Sequence, residues 1–247
     1  MRLLLLAIIG AAAGHGGCGG SGTAPSSDAP IAGNEAPTPD APPAALYTLA
    51  GMCGVLNDPE LTGASPLLVK DAMSFSRRYN DPADRPLLTP GAQTIASLPN
   101  AGGSSLLSEV FAFEQLARCE QAGFLKAETQ IIYDTAGKIT DILVTVDGHK
   151  IGVSVVRAVQ FPFGSPYTVQ TATTIIQRKL EDIQLSSMNV SAQDKWVKQI
   201  LAVMAYDDQH VDMVEQVWLG LAPSIKADTV LVVTATHGDD TFLYTNQ

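Results

Sequence analysis

Residues 129–159 read TQIIYDTAGKITDILVTVDGHKIGVSVVRAV, and this stretch decides the fold. Thr129 to Tyr133 is β-branched and aromatic, Asp134-Thr135-Ala136-Gly137 has turn chemistry, and Ile139 to Val146 is a second apolar run. Asp147-Gly148 is a two-residue hairpin signal, since the favoured turn needs positive φ at both positions and these residue types tolerate it. Ile151 to Val159 completes three antiparallel strands. Upstream, Ser104-Ser105 caps an apolar helical pattern (Leu107, Val110, Phe111, Phe113, Leu116, Ala117) that ends near Gly123. Downstream, Pro162 and Pro166 break the chain. Thr168 to Leu185 then predicts a long helix, Trp196 to Ala205 a strand, and His210 to Leu221 a helix whose start is favoured by Asp207-Asp208. Asp228 to Ala235 reads as a strand buried on both faces, and Thr241 to Tyr244 as an edge strand. Over 104–247 the expectation is an α/β domain of order αβββαβαβ, a mixed sheet flanked by helices.

The segment 44–103 reads as a helical and loop extension ahead of that domain. Ala44 to Val55 is apolar and predicts a short helix carrying Cys53. Leu67 to Tyr79 has helical spacing, with Leu68, Ala72 and Phe75 on one face, and Pro66, Pro82, Pro86, Pro90 and Pro99 punctuate the rest. The chain of 247 residues is 46% hydrophobic and 16% charged, enough apolar matter for a sizeable core, which excludes a wholly disordered chain. Fifteen Lys plus Arg against 25 Asp plus Glu leave a net charge of −10, a field that repels phosphate backbones, so nucleic acid is a disfavoured partner.

Met1-Arg2 followed by the apolar run Leu3 to Ile9 has the pattern of a signal peptide and is too short to span a bilayer. The run closes on Gly16-Gly17-Cys18-Gly19-Gly20, which resembles a bacterial lipoprotein signal, and that resemblance implies lipidation of Cys18 and residues 1–18 as the signal. Ala11-Ala12-Ala13 offers ordinary secretory cleavage as the alternative, giving a soluble secreted protein. Residues 19–43 are Gly, Ser, Thr, Ala, Pro, Asp and Glu with almost no large apolar side chain, the composition of a disordered tether. Three cysteines are too few for a disulfide scaffold and lack zinc-site pairing. With Cys18 lipidated, Cys53 and Cys119 remain, and an oxidising compartment predicts a disulfide between them; two buried, unpaired thiols are the other reading.

The order of a helix, three meandering strands, a helix and two further strands with a helix between them resembles the PD-(D/E)XK, or restriction-endonuclease-like, superfamily over roughly 104–240. The resemblance implies an acid on the first helix, an Asp on the second strand and a Glu-x-Lys pair on the third, converging on magnesium. Glu109 and Asp141 fill the first two positions. In Gly152-Val153-Ser154-Val155-Val156-Arg157 the last two are Ser154 and Val156, so the pair is missing and the expected protein is a degenerate member. Arg157 cannot replace Val156, because adjacent strand residues point to opposite faces. Some relatives move the catalytic charge to the following helix, which makes Lys179, with Glu181 or Glu109, the candidate of an active magnesium-dependent nuclease or phosphodiesterase.

Other patterns are weaker. Gly152-Val153-Ser154-Val155-Val156 lacks the closing glycine of a nucleophile elbow and lies inside a strand. His149, His210 and His237 are scattered, and His237-Gly238-Asp239-Asp240 reads as a turn. Trp196 and Trp218 read as core. Phe161-Pro162-Phe163-Gly164-Ser165-Pro166-Tyr167 packs two Phe, a Tyr and two Pro into one loop, either a recognition surface or a rigid crossover. The expectation from sequence is an exported, lipid-anchored protein whose nuclease-like domain binds a protein or ligand without catalysis and without a cofactor, touching a membrane only through its anchor. Magnesium enters only with the active alternative.

Overall fold

The computed structural model describes residues 45–99 and 105–245. The signal, the tether, Cys18 and Ser104 lie outside the described residues. Seven strands form one sheet: β1 (Tyr47–Gly51), β2 (Leu67–Phe75), β3 (Gly123–Ala127), β4 (Ile142–Val146), β5 (His149–Ala158), β6 (Lys198–Ala205) and β7 (Val230–Gly238). Their spatial order is β1-β2-β7-β6-β5-β4-β3. The four central strands β2, β7, β6 and β5 are parallel, and antiparallel strands flank them on both sides. The helices are α1 (Asp58–Thr62), α2 (Pro90–Ser97), α3 (Leu106–Cys119), α4 (Val169–Asn189), α5 (Asp208–Gly220), α6 (Pro223–Lys226) and α7 (Phe242–Thr245). From α3 onward the order is αβββαβαβ before two short helical turns are counted, so the α/β class with a mixed sheet between helices holds.

Strand alternation sorts the core into two layers. On one face Val153 and Val155 of β5, Ile200 and Ala202 of β6 and Val230 and Val232 of β7 pack with Val110, Phe111, Phe113 and Leu116 of α3. On the other, Leu201 and Val203, Leu231 and Val233 pack with Ile176 and Leu180 of α4 and Val214 and Trp218 of α5. Continuous apolar sequence in β6 and β7 is the consequence of this double burial. The β4–β5 hairpin turns at Asp147 (φ 45°) and Gly148 (φ 80°), two successive left-handed residues as the Asp-Gly signal requires.

Five sequence expectations need correction. Leu67 to Tyr79 is no helix: β2 carries Val69, Met73 and Phe75 to one core layer and Leu68 and Ala72 to the other, and a strand apolar on both faces mimics helical spacing. Ala44 to Val55 contains a strand, β1, because Tyr47 to Gly51 pairs antiparallel with β2, and Cys53 follows it in a turn. The segment 44–103 is therefore no appended extension, since it supplies two strands of the common sheet. The first meander strand is Gly123–Ala127, upstream of Thr129 to Tyr133, where a 3-10 turn and a single bridge from Tyr133 to Val190 stand instead. Thr241 to Tyr244 is a helical turn: Phe242, Leu243 and Tyr244 are all buried, which three successive residues of an edge strand could not be.

Candidate functional site

The β4–β5–α4 corner is where the family resemblance places chemistry. Ile142 pairs with Val153, which sets Asp141 opposite Ser154 at the mouth of the ladder. The Asp141 amide donates to Val153 O at 3.1 Å, and its Oδ2 accepts from the Val155 amide at 2.6 Å. Lys179 Nζ on α4 stands 4.0 Å from the same Oδ2. Burial pushes the Asp141 carboxyl up from its ordinary value, and the Lys179 charge and the Val155 N–H oppose that only in part. Ser154 Oγ shares a hydrogen bond of 3.0 Å with Thr140 Oγ1, which in turn donates to Gln199 Oε1 at 3.1 Å, and Val156 packs on the α4–α5 layer.

The two sides of the sheet divide the remaining candidates. Glu109 is carried by α3 and accepts from Ser105 Oγ at 2.6 Å, whereas Lys179 is carried by α4 across the sheet. Ser105 spends its hydroxyl on this bond and makes no side-chain cap. Arg157 points away from Val156 as strand alternation demands: its Nη1 donates to Leu243 O at 3.1 Å and its guanidinium lies 5.0 Å from the Phe161 ring. Glu181 pairs with Gln177 on its own helix at 3.0 Å. Magnesium wants several hard oxygen ligands in octahedral array. Among the described residues no three His, Cys, Asp or Glu side chains converge, and the one carboxylate at this corner is already bonded to an amide and faced by an ammonium. These residues do not fit the ion.

Cys53 and Cys119 are joined as a disulfide. The bridge ties the turn after β1 to the end of α3, beside Glu120, whose carboxylate accepts from the Gly54 and Leu56 amides at 3.1 and 2.9 Å. Nearby, Asp71 Oδ1 accepts from the Met52 amide at 2.7 Å and Oδ2 from Gln115 Nε2 at 2.5 Å. A third buried carboxylate, Glu114, accepts from Tyr47 Oη, from Arg118 Nε at 2.8 Å and from the Thr89 amide at 2.5 Å. These acids staple 45–99 to α3.

The aromatic loop opens a cavity of about 400 Å³ at the carboxyl ends of β5 and β6. Phe163 sets its edge to Tyr206 at 5.0 Å and stacks on Tyr244 at 5.8 Å, while Tyr167 stacks on the His210 imidazole at 4.7 Å. Asp207 caps α5, accepting from the His210 amide at 2.9 Å and from His210 Nδ1 at 2.5 Å. The loop is thus crossover and cavity wall at once; of its three aromatic residues Phe161 stays outside the cavity, 48% exposed. Sequence spacing could not reveal the Tyr167–His210 pairing, because 43 residues and two elements separate them. A larger groove of about 610 Å³ between α2, α3 and β3 is lined by no ionisable side chain.

His149 meets Asp58 at 2.7 Å and His237 meets Asp208 at 3.5 Å, so the three histidines sit at separate acids. Trp196 and Trp218 are both buried. Among the described residues no helix is long and apolar enough to cross a membrane.

No family model matches the chain, and no solved structure does. The chain is similar to the AAC-rich mRNA clone AAC4 protein of Dictyostelium discoideum, 36% identical over 175 residues. The match takes in 68% of this chain and 25% of that protein, so the chain spans about a quarter of the length of the curated relative.

Proposed function

We propose that the chain is a degenerate restriction-endonuclease-like domain that binds rather than cleaves, exported and anchored by a lipid on Cys18 at the end of the 19–43 tether. The observation that carries this reading is the β4–β5 register. Asp141 stands opposite Ser154, and the two positions where the resemblance puts a cation-binding Glu-x-Lys pair hold a hydroxyl committed to Thr140 and a half-buried isopropyl group packed against the core. One carboxylate bonded to a backbone amide is a weak ligand for a hard dication. The binding face of this reading is the Phe161–Tyr167 loop and its cavity.

Lys179 beside Asp141 favours a second reading, an active magnesium-dependent phosphodiesterase with its lysine moved to α4. Incubating the full chain with single- and double-stranded DNA and RNA in magnesium or manganese decides between them. No turnover above that of Asp141→Ala supports the binding module; turnover abolished by Asp141→Ala establishes the enzyme. The anchor is tested by mass spectrometry of the mature N-terminus in the wild type and in Cys18→Ser, with a diacylglyceryl mass present only in the former. Anionic phosphate partners are disfavoured by the net charge of −10.

A further inference from the structure

In open α/β sheets ligands bind outside the carboxyl ends of the strands, where the loops that follow them part and leave a crevice. The cavity of about 400 Å³ at the ends of β5 and β6 lies in that position. Its walls are fixed by contacts within the protein. Phe163 meets Tyr206 edge-on and stacks on Tyr244, and Tyr167 stacks on the His210 ring. The loop that carries Phe163 is closed on itself: the Ser165 amide donates to Pro162 O at 3.0 Å, Gln160 Nε2 donates to Phe161 O at 3.0 Å, and Gln160 and Ser165 form an isolated bridge. A wall already ordered in the free protein loses little conformational entropy when a ligand enters.

The second observation is the absence of charge on those walls. Among the described residues no Asp, Glu, Lys or Arg side chain lines the cavity. The charges nearest in sequence are engaged elsewhere. Asp207 accepts from the His210 amide at 2.9 Å and lies 2.5 Å from His210 Nδ1. Arg157 donates to Leu243 O at 3.1 Å and lies 5.0 Å from the ring of Phe161, which is outside the cavity. An ion drawn in would shed water and find no opposite charge on the walls, a far larger cost than a neutral group meets.

The walls offer instead apolar surface from Val159, Phe163 and Met213 and neutral polar side chains from Gln160, Ser165, Tyr206 and Gln209. Amides and hydroxyls supply both donors and acceptors, so a ligand group with both is matched.

We propose that this cavity binds a small uncharged aromatic molecule bearing a neutral hydrogen-bonding group, a carboxamide or its like: the ring packs among the aromatic side chains and the polar group meets the amides and hydroxyls of the wall. Edge-on and offset ring contacts add to the area such a ring buries. The volume suits a ligand of this size. This inference deepens the binding reading above, by naming the ligand class, and rests on it.

The test is calorimetric or ligand-observed NMR titration of the full chain with three compounds of one shape, benzamide, benzoate and benzylammonium, at about pH 7.5, where carboxylic acids have lost and alkylamines have kept their proton. The wild type is expected to bind benzamide at least ~10-fold more tightly than either ion. Benzylammonium is the telling comparison, because the net charge of −10 by itself favours the cation. Benzamide is also expected to bind about threefold more tightly than cyclohexanecarboxamide, which has no ring quadrupole. Gln209 is exposed on the first turn of α5, where an acid is well tolerated. Gln209→Glu, which puts a carboxylate on the wall, is expected to shift the benzamide-to-benzylammonium ratio at least ~3-fold toward the cation. Gln209→Trp, which fills the cavity from its rim, is expected to abolish benzamide binding at an unchanged melting temperature. Either ion binding as tightly as benzamide, equal affinity for the aromatic and the saturated amide, a ratio unmoved by Gln209→Glu, benzamide binding untouched by Gln209→Trp, or no saturable binding at all overturns the inference. Magnesium-dependent nuclease turnover would remove the binding-module reading and leave these titrations as they stand, so the two failures are distinguishable.

Discussion

Asp71 shows what a single buried side chain does to this molecule. It lies on β2 with its carboxyl 5% exposed as a residue, and burial raises its pKa to about 6, with Glu120 adding to the rise and the Met52 and Gln115 hydrogen bonds resisting it. The folded state therefore holds this proton where the unfolded chain, near 3.9, releases it. The sign follows from linkage: this contribution to stability is fully present below about pH 4 and is lost as pH rises through about 6. Each unit of displacement corresponds to about 1.4 kcal/mol, an upper bound at a site that can relax. Asp71→Asn, with Gln115 turning its amide to match, is expected to abolish this slope in urea melts taken between about pH 4 and 7 while leaving the melt at low pH unchanged. Gly238 is a second single-residue test. Its φ is +80°, and a Cβ there would fall 2.1 Å from Phe75 O, so Gly238→Ala is expected to lower stability by more than about 2 kcal/mol in the same melts. The Cys53–Cys119 pair and the Asp207 cap were legible from residue type and placement. The three stapling acids Asp71, Glu114 and Glu120 were not, because a buried carboxylate looks like a solvated one until its amide donors are placed.

At the scale of elements, α3 is the part on which the two halves of the sheet meet. Its apolar side faces the central strands, and Glu114, fully buried, reaches Tyr47 of β1 and the amide of Thr89 ahead of α2 while Arg118 on the next turn supplies a counter-charge. Glu114→Ala strands the Thr89 amide and the Tyr47 hydroxyl and is expected to cost about 2–3 kcal/mol in thermal or urea unfolding, with Glu114→Gln recovering part of it. A cost within about 0.5 kcal/mol of zero would mean that water replaces the carboxylate. Element type was legible where one periodicity stood alone, as in α3, α4, α5 and the β4–β5 hairpin. It was not legible in β2, whose two apolar faces imitate a helix, nor at 242–245, where Phe242, Leu243 and Tyr244 are all drawn into the core by the ring contacts of Phe242 with Phe75 and of Tyr244 with Phe163. β3 was displaced because Thr129 to Tyr133 carries strand propensity while Gly123 to Ala127 has the ladder partner, and pairing outweighs propensity.

For the whole molecule, the disulfide closes a span of 66 residues that contains β2, α1, α2 and most of α3. On the chain-entropy account such a loop is worth about 4 kcal/mol, so the double variant Cys53→Ser, Cys119→Ser is expected to unfold at a distinctly lower denaturant midpoint, as is the wild type under reductant. Identical midpoints would show that the three stapling acids suffice. The two layers of core, the parallel centre and the antiparallel flanks together fix one corner, at β4, β5 and α4, where Asp141, Ser154, Val156 and Lys179 meet. The central claim of the proposed binding module is that this corner holds no divalent cation. Isothermal titration of the full chain with magnesium and with manganese tests it most directly, run beside Asp141→Ala and a control at the exposed Asp208, Asp208→Ala. The account predicts no saturable binding that Asp141→Ala removes; a saturable site lost in Asp141→Ala and kept in Asp208→Ala would contradict it.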